Sequence, residues 1–132
     1  MPAKELVNAY FKAFNKHNAE AVTGLFAKRG TYIDSAVPAG VKGDAFKTYL
    51  RGHYAAFPDG RYRLLRSVEN RDGLIAFEWR FTGTNTGALG AAAPTNRPVD
   101  VRGSSMVQVR NGKILWLHGY YDRRSMLKQL GV

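Results

Sequence analysis

The chain has 132 residues, 45% of them hydrophobic and 12% aromatic, which suits one ordinary domain burying about two thirds of the surface its unfolded chain exposes. That is too apolar for a disordered chain, and no uncharged run approaches the roughly 20 residues of a membrane-spanning helix. The absence of cysteine excludes a disulfide framework, a thiolate zinc site and a cysteine nucleophile. His17, His53 and His118 are too few and too scattered to suggest a metal centre. A net charge of +10 raises the question of an anionic partner. The basic residues are spread along the chain with no long run and no nucleic-acid motif, which argues against nucleic acid and for a solvated basic surface. Charge every few residues in the N-terminal stretch points to an unexported, cytoplasmic protein.

Residues 2–17 place Leu6, Ala9, Tyr10, Ala13 and Phe14 at the spacing of an amphipathic helix, and Pro2 suits its first turn. Asn18 reads as the N-cap of a second short helix through Ala21, Val22, Leu25 and Phe26, ended by Lys28, Arg29 and Gly30. A short β-like stretch, Thr31 to Asp34, and a Pro/Gly loop follow. Residues 44–57 then repeat helical spacing with Phe46, Tyr49, Leu50, His53 and Phe57, and Pro58, Asp59 and Gly60 stop that helix as a turn.

From Arg61 the period falls to two, the mark of antiparallel strands with one buried face. Tyr62–Glu69 turns through Arg71, Asp72 and Gly73 into Leu74–Thr84, where Ile75, Phe77, Trp79 and Phe81 alternate with Ala76, Glu78, Arg80 and Thr82. After a loop over 85–98, Val99–Arg110 and Lys113–Asp122 are joined by Asn111 and Gly112, a strong two-residue hairpin signal. A last helical turn or two, Arg123–Leu130, closes the chain. Helices followed by a long curled antiparallel sheet form an α+β plan, and a curved sheet under helices leaves a pocket where small-molecule sites usually lie.

A two-residue turn at Asn111-Gly112 sets Val107 opposite Trp116, Ser105 opposite His118 and Gly103 opposite Tyr120. Period two then puts Ile114, Trp116, His118, Tyr120 and Asp122 on the pocket face, with Gly103 leaving a gap beside Tyr120. The other face, with Met106, Leu115 and Leu117, is also apolar. Either a homodimer covers it through the outer sheet face, or a bulge re-registers the strand.

The run Ala56-Phe57-Pro58-Asp59, the stretch Trp79–Gly90 containing GTNTGALG, then Pro94-Thr95, Gly112-Lys113-Ile114 and Asp122 with Gln129-Leu130-Gly131 resemble, in order and spacing, the SnoaL-like polyketide cyclases of the nuclear transport factor 2-like superfold. The resemblance covers nearly the whole chain and implies one SnoaL-like domain over residues 1–132. It further implies a cone-shaped α+β barrel with three N-terminal helices over a curved sheet, and a site without cofactor or metal inside the cone. The reaction it implies is an intramolecular aldol cyclisation in which a carboxylate at the end of the last strand removes an acidic C–H proton; Asp122 is the matching position. The family commonly has histidine where this chain has Asn85, and often one where it has Ser35, so the groups that would orient a substrate carbonyl differ. The superfold also hosts isomerases, epoxide hydrolases, hydroxylases and plain binding proteins.

Asp122, at the end of a wall lined by Trp116 and Tyr120, would lose hydration and gain basicity toward a carbon acid. It also immediately precedes the closing helix and can serve as its N-cap. His118 on the same face is a candidate donor to an enolate oxygen or a core histidine bonded to Ser105. His53 lies on the inward stripe of the third helix, and Asn85 is either a neutral donor or a turn residue. Tyr32, Tyr49, Trp79, Phe81 and Trp116 would shape a slot for a flat, aromatic or polycyclic ligand. Asp34 is a second carboxylate, its simpler reading being a loop-facing charge. The expectation is a small dimeric cyclase-like or lyase-like enzyme acting on a small hydrophobic substrate, with Asp122 as base. The alternatives are a non-catalytic binder of hydrophobic ligands and a limonene-type epoxide hydrolase, which would need an Asp–Arg–Asp set drawing on Arg80 or Arg102.

Overall fold

The computed structural model describes residues 2–132. Helix α1 (Ala3–Asn15) turns Leu6, Val7, Tyr10, Phe11 and Phe14 to one side and buries them. Helix α2 (Ala19–Gly24) is capped by Asn18, whose side chain accepts from the Ala21 amide at 3.0 Å. It stops short of the predicted end because Phe26 already belongs to strand β1 (Phe26–Asp34), which is longer than the stretch expected from Thr31. Part of the expected Pro/Gly loop is strand β2 (Val37–Val41), antiparallel to β1. Helix α3 (Gly43–Ala56) buries Phe46, Leu50, Tyr54 and Ala56. None of the described helices is long and apolar enough to cross a membrane.

Strands β3 (Arg61–Glu69), β4 (Leu74–Thr84), β5 (Pro98–Arg110) and β6 (Lys113–Tyr121) complete a six-stranded sheet in the order β2-β1-β6-β5-β4-β3. The architecture is the expected α+β plan of a curved sheet covered by helices. The expected all-antiparallel pairing fails at one place, where β1 runs parallel to β6. Parallel neighbours need a long crossover, and here everything from β2 to β5 intervenes. On the concave face Ile75, Phe77, Trp79 and Phe81 of β4 meet Phe11 and Tyr62 in a continuous aromatic core. Each such ring contributes about 1.5–3 kcal/mol by burial.

The β5–β6 hairpin decides the site. Asn111 and Gly112 have φ of 51° and 73°, the left-handed pair of a type I′ turn. Arg110 faces Lys113 and Val109 faces Ile114 as expected, but the register then shifts. Gln108 faces Trp116, Val107 faces Leu117, Met106 faces His118, Ser105 faces Gly119 and Gly103 faces Tyr121. One extra residue in β6, Leu115, makes this β-bulge, and a one-residue slip sends every later side chain to the other face. Ile114 and Leu117 are therefore 0% and 2% exposed, whereas Tyr120 is 54% exposed. The expected pocket face of Trp116, His118 and Tyr120 is corrected to Leu117, Gly119 and Tyr121. The apolar outer face that called for a dimer loses Leu117 to the core. Gly103 leaves its room to the Trp79 ring and the Tyr120 backbone carbonyl, into both of which a Cβ would run, and not to the Tyr120 side chain.

Helix α4 (Arg123–Leu130) follows β6 directly and ends at Gly131, whose φ of 81° suits a glycine cap. Its Gln129 is hydrogen-bonded to the Asp100 backbone at both ends of its amide, at 2.7 and 3.1 Å. That fixes α4 against the end of β5.

Candidate functional site

Asp34 closes β1, and alternation turns it onto the concave face with Tyr32. It is 4% exposed. Its Oδ2 accepts from the Tyr32 hydroxyl at 2.7 Å and the Tyr49 hydroxyl at 2.8 Å. Its Oδ1 accepts from the backbone amides of Ala36 at 2.7 Å and Val37 at 3.2 Å. Four donors match a carboxylate, which is acceptor-only when ionised. Gly119 lies beside Asp34 on the paired strand β6.

Asp34 borders a narrow inner chamber of about 50 Å³, with Tyr10, Tyr62, Trp79, Ser105 and Tyr121 among its walls. A wider outer chamber of about 290 Å³ lies between α3, α4 and the segment at Leu89 and Gly90. Tyr49, His53, Tyr121 and Met126 line both. A flat polycyclic molecule therefore has its room in the outer chamber and can offer only an edge to Asp34.

Burial holds the phenols of Tyr10, Tyr32, Tyr49 and Tyr62 well above their ordinary range, and the charge of Asp34 adds to the shift in each. At neutral pH they are O–H donors. His53 is lowered to about 4, chiefly by burial and then by His17. Its Nε2 has no hydrogen-bond partner, and its ring sits among Phe14, Phe57, Tyr62 and Phe81. It is a neutral imidazole bordering both chambers.

Several predicted site residues meet here. Tyr32, Tyr49, His53, Trp79, Phe81 and Ser105 all line the inner chamber, and Trp79 Nε1 donates to Ser105 Oγ at 3.0 Å. Others do not. Asp122 is exposed, and its carboxylate accepts from the Ser125 amide at 3.0 Å as the N-cap of α4. It lines neither chamber, because the bulge ends β6 one residue out of the expected phase. His118 and Tyr120 stack on each other outside the cone, ring centroids 4.2 Å apart, with the Tyr120 hydroxyl 3.0 Å from His118 Nδ1. Trp116, opposite Gln108, is on the same outer face. Asn85 is 1% exposed but is a structural clamp. Its Nδ2 donates to the Ala56 and Gly87 carbonyls, and its Oδ1 accepts from the Thr95 amide and hydroxyl. Arg80 pairs with Asp100 through two hydrogen bonds on the outer face, where Arg102 also lies. No Asp–Arg–Asp set assembles around Asp34 among the described residues. Asp34 itself was underweighted in the sequence, and Tyr10, Tyr62 and Tyr121 were missed as site residues. Alternation of Tyr32 with Asp34 was the available signal for the first.

Residues 7–116 match the family model of the SnoaL-like domain. No curated protein matches the chain in sequence. Several solved structures share its fold. IdmH, a candidate polyketide cyclase from Streptomyces antibioticus, is 24% identical over 100% of both chains with a TM-score of 0.83. A candidate SnoaL-like polyketide cyclase from Jannaschia sp. CCS1 is 14% identical over 98% of this chain and 92% of its own, with a TM-score of 0.86. A protein of ketosteroid isomerase-like fold from Catenulispora acidiphila, crystallised with trimethylamine, is 25% identical over 97% of this chain and 93% of its own, with a TM-score of 0.82. With its helix-covered curved sheet and aromatic-lined interior, and with a family model spanning most of its length, the chain belongs to the SnoaL-like family.

Proposed function

We propose that the chain, as one SnoaL-like domain over residues 1–132, is a cofactor-independent polyketide cyclase-type enzyme whose general base is Asp34. The observation that carries this is the placement of Asp34: a carboxylate 4% exposed, in the wall of an aromatic cavity. Asp122 is withdrawn from that role by its position at the α4 cap.

In the proposed step a carbon flanked by two carbonyls presents its C–H to Asp34 Oδ2. The substrate displaces the Tyr49 hydroxyl, the donor that also faces the outer chamber. Asp34 takes the proton, and the electron pair delocalises onto a carbonyl oxygen as an enolate. Tyr49 and Tyr10 are protonated phenols that line the inner chamber with Asp34 and can donate to that oxygen. The enolate carbon then attacks a second carbonyl of the same molecule, and the resulting alkoxide takes the proton back from Asp34. A positioned general base is worth about 10²–10⁴-fold in rate.

One observation favours a second reading, a non-catalytic binder of small hydrophobic ligands. The four donors on Asp34 occupy all of a carboxylate's roughly four lone-pair sites, so basicity must be released by the substrate. The test is a panel of 1,3-dicarbonyl and anthraquinone-type substrates with wild type, Asp34→Asn and Asp122→Asn. Loss of turnover in Asp34→Asn alone supports the base, and equal turnover of Asp34→Asn and wild type removes it. Saturable binding with no turnover by wild type favours the binder. Action as a cytoplasmic homodimer belongs to the same proposal. The dimer is supported by Met106 and Tyr120, exposed at 38% and 54% on the outer sheet face.

A further inference from the structure

The cavity carries a second charge that the proton transfer does not use. The walls of the outer chamber are apolar, small or hydroxylic, as at Ala36, Thr48, Phe57 and Leu127, apart from the neutral imidazole of His53 and one charged residue, Arg123. In the inner chamber the carboxylate is Asp34. The cavity is thus bipolar, with a carboxylate in its inner chamber and a guanidinium in its outer one. Arg123 is also unspent. Among the described residues the ion pairs involve Lys47, Arg51, Arg66 and Arg80, and the neighbouring Asp122 has turned its carboxylate to the Ser125 amide.

We propose that Arg123 receives an anionic group on the substrate, so that the substrate class is a flat apolar body with a carboxylate or similar acid at the end remote from the reacting carbon. Three observations converge on this. The inner chamber, at about 50 Å³, is too small for a fused-ring body, which therefore lies in the outer chamber of about 290 Å³ and extends to Arg123. Asp34 repels an acid placed in the inner chamber, so the two charges set one orientation. A guanidinium is suited to grip a carboxylate with two parallel hydrogen bonds. The inference rests on the cavity taking a substrate whose reacting edge meets Asp34.

The test compares 2-naphthoate with its uncharged methyl ester, binding being followed by quenching of tryptophan fluorescence, since Trp79 lines the inner chamber. Wild type should bind the anion about threefold more tightly, because Arg123 is itself exposed and a solvent-exposed charge pair is worth little. Arg123→Gln should bring the two probes level, and Arg123→Lys should keep part of the preference. Arg124→Gln removes the same charge from an adjacent exposed residue that lines neither chamber, and should leave the preference unchanged. No preference in wild type, an equal loss in Arg124→Gln, or failure of both probes to bind each overturns the assignment. Asp34→Asn separates this inference from the one it rests on: it should abolish turnover yet retain or increase the preference for the anion. If Asp34→Asn keeps full turnover while Arg123→Gln still levels the probes, the base assignment fails and the anion site stands.

Discussion

The two faces of one sheet differ as sharply as two proteins. On β4 the concave side carries Ile75, Phe77, Trp79 and Phe81, all buried, while the convex side carries Glu78, Arg80 and Thr82. The convex side even sets like charges opposite each other, Arg63 against Arg80 and Arg80 against Arg102 across neighbouring strands. Such pairs are tolerated only in water. The concave side confines its charge to Asp34 and surrounds it with donors. The difference teaches where the sequence is constrained: inside, each side chain has a fixed neighbour, and outside, it has solvent.

The largest effect expected from that contrast is on stability. Phe77 is 4% exposed and packs edge-on against Phe11 at 5.5 Å between ring centroids. Phe77→Ala should cost about 3–5 kcal/mol by removing the ring and leaving a cavity. Arg63→Ala on the outer side should stay within about 0.5 kcal/mol of wild type, because it removes a neighbour of Arg80 and no packed atom. Urea denaturation measures both, and a comparable loss in the two would dissolve the contrast.

Acid is the next probe. The unfolded chain takes a proton on His53 near its ordinary value of 6.5, whereas the folded chain holds it to about 4. Below 6.5 the unfolded state binds more protons, so stability is complete above that pH, falls as pH drops toward 4, and levels off below it. The loss is on the order of 2–3 kcal/mol. Urea titrations from pH 7 to 4 should show that slope in wild type and a shallower one in His53→Gln.

The legibility of the chain follows the same division. Where one face is apolar and the other charged, as on β4, period two fixes both the strand and its phase, and Phe77, Trp79 and Phe81 are read correctly. On β6 the run Ile114-Leu115-Trp116-Leu117 is apolar on both faces, so alternation has no phase to offer. A single extra residue, Leu115, then exchanges His118 and Tyr120 for Gly119 and Tyr121. The turn is legible because Asn-Gly names its backbone geometry, whereas the bulge at Leu115 is signalled only indirectly, by a hairpin apolar on both faces, and its position is unmarked. Asp34 was obscured for another reason. Its burial depends on Tyr49, which arrives from α3, and a carboxylate next to a Pro/Gly segment reads locally as a loop charge. Asn85 shows the converse: polar residues in a Thr-Asn-Thr-Gly turn look available for chemistry until the carbonyls that occupy them are placed.

Asn85 supplies the third measurement. Asn85→Ala removes four hydrogen bonds, leaving the Ala56 carbonyl to the Gly87 amide alone and the Thr95 amide without its acceptor. It should cost about 2 kcal/mol in thermal or urea unfolding. Activity per folded molecule should be unchanged, since Asn85 lines neither chamber. A rise in KM without loss of stability would return Asn85 to the site.

The smallest effect bears most directly on mechanism. Asp122 occupies the position the family resemblance marks as the base, yet its carboxylate bonds the Ser125 amide at 3.0 Å and faces solvent. Asp122→Ala should cost about 1 kcal/mol, the usual worth of a helix N-cap. That variant alone is ambiguous, because a frayed α4 would also disturb Met126 and Leu130 at the wall of the outer chamber. Asp122→Ser resolves it, since serine caps a helix about as well as aspartate but cannot serve as a carboxylate base. If Asp34 is the base, Asp122→Ser should keep both the melting temperature and kcat. If Asp122 acts chemically, the same variant should melt like wild type and lose kcat by about 10²-fold or more, and the roles of the two faces at the end of β6 would have to be exchanged.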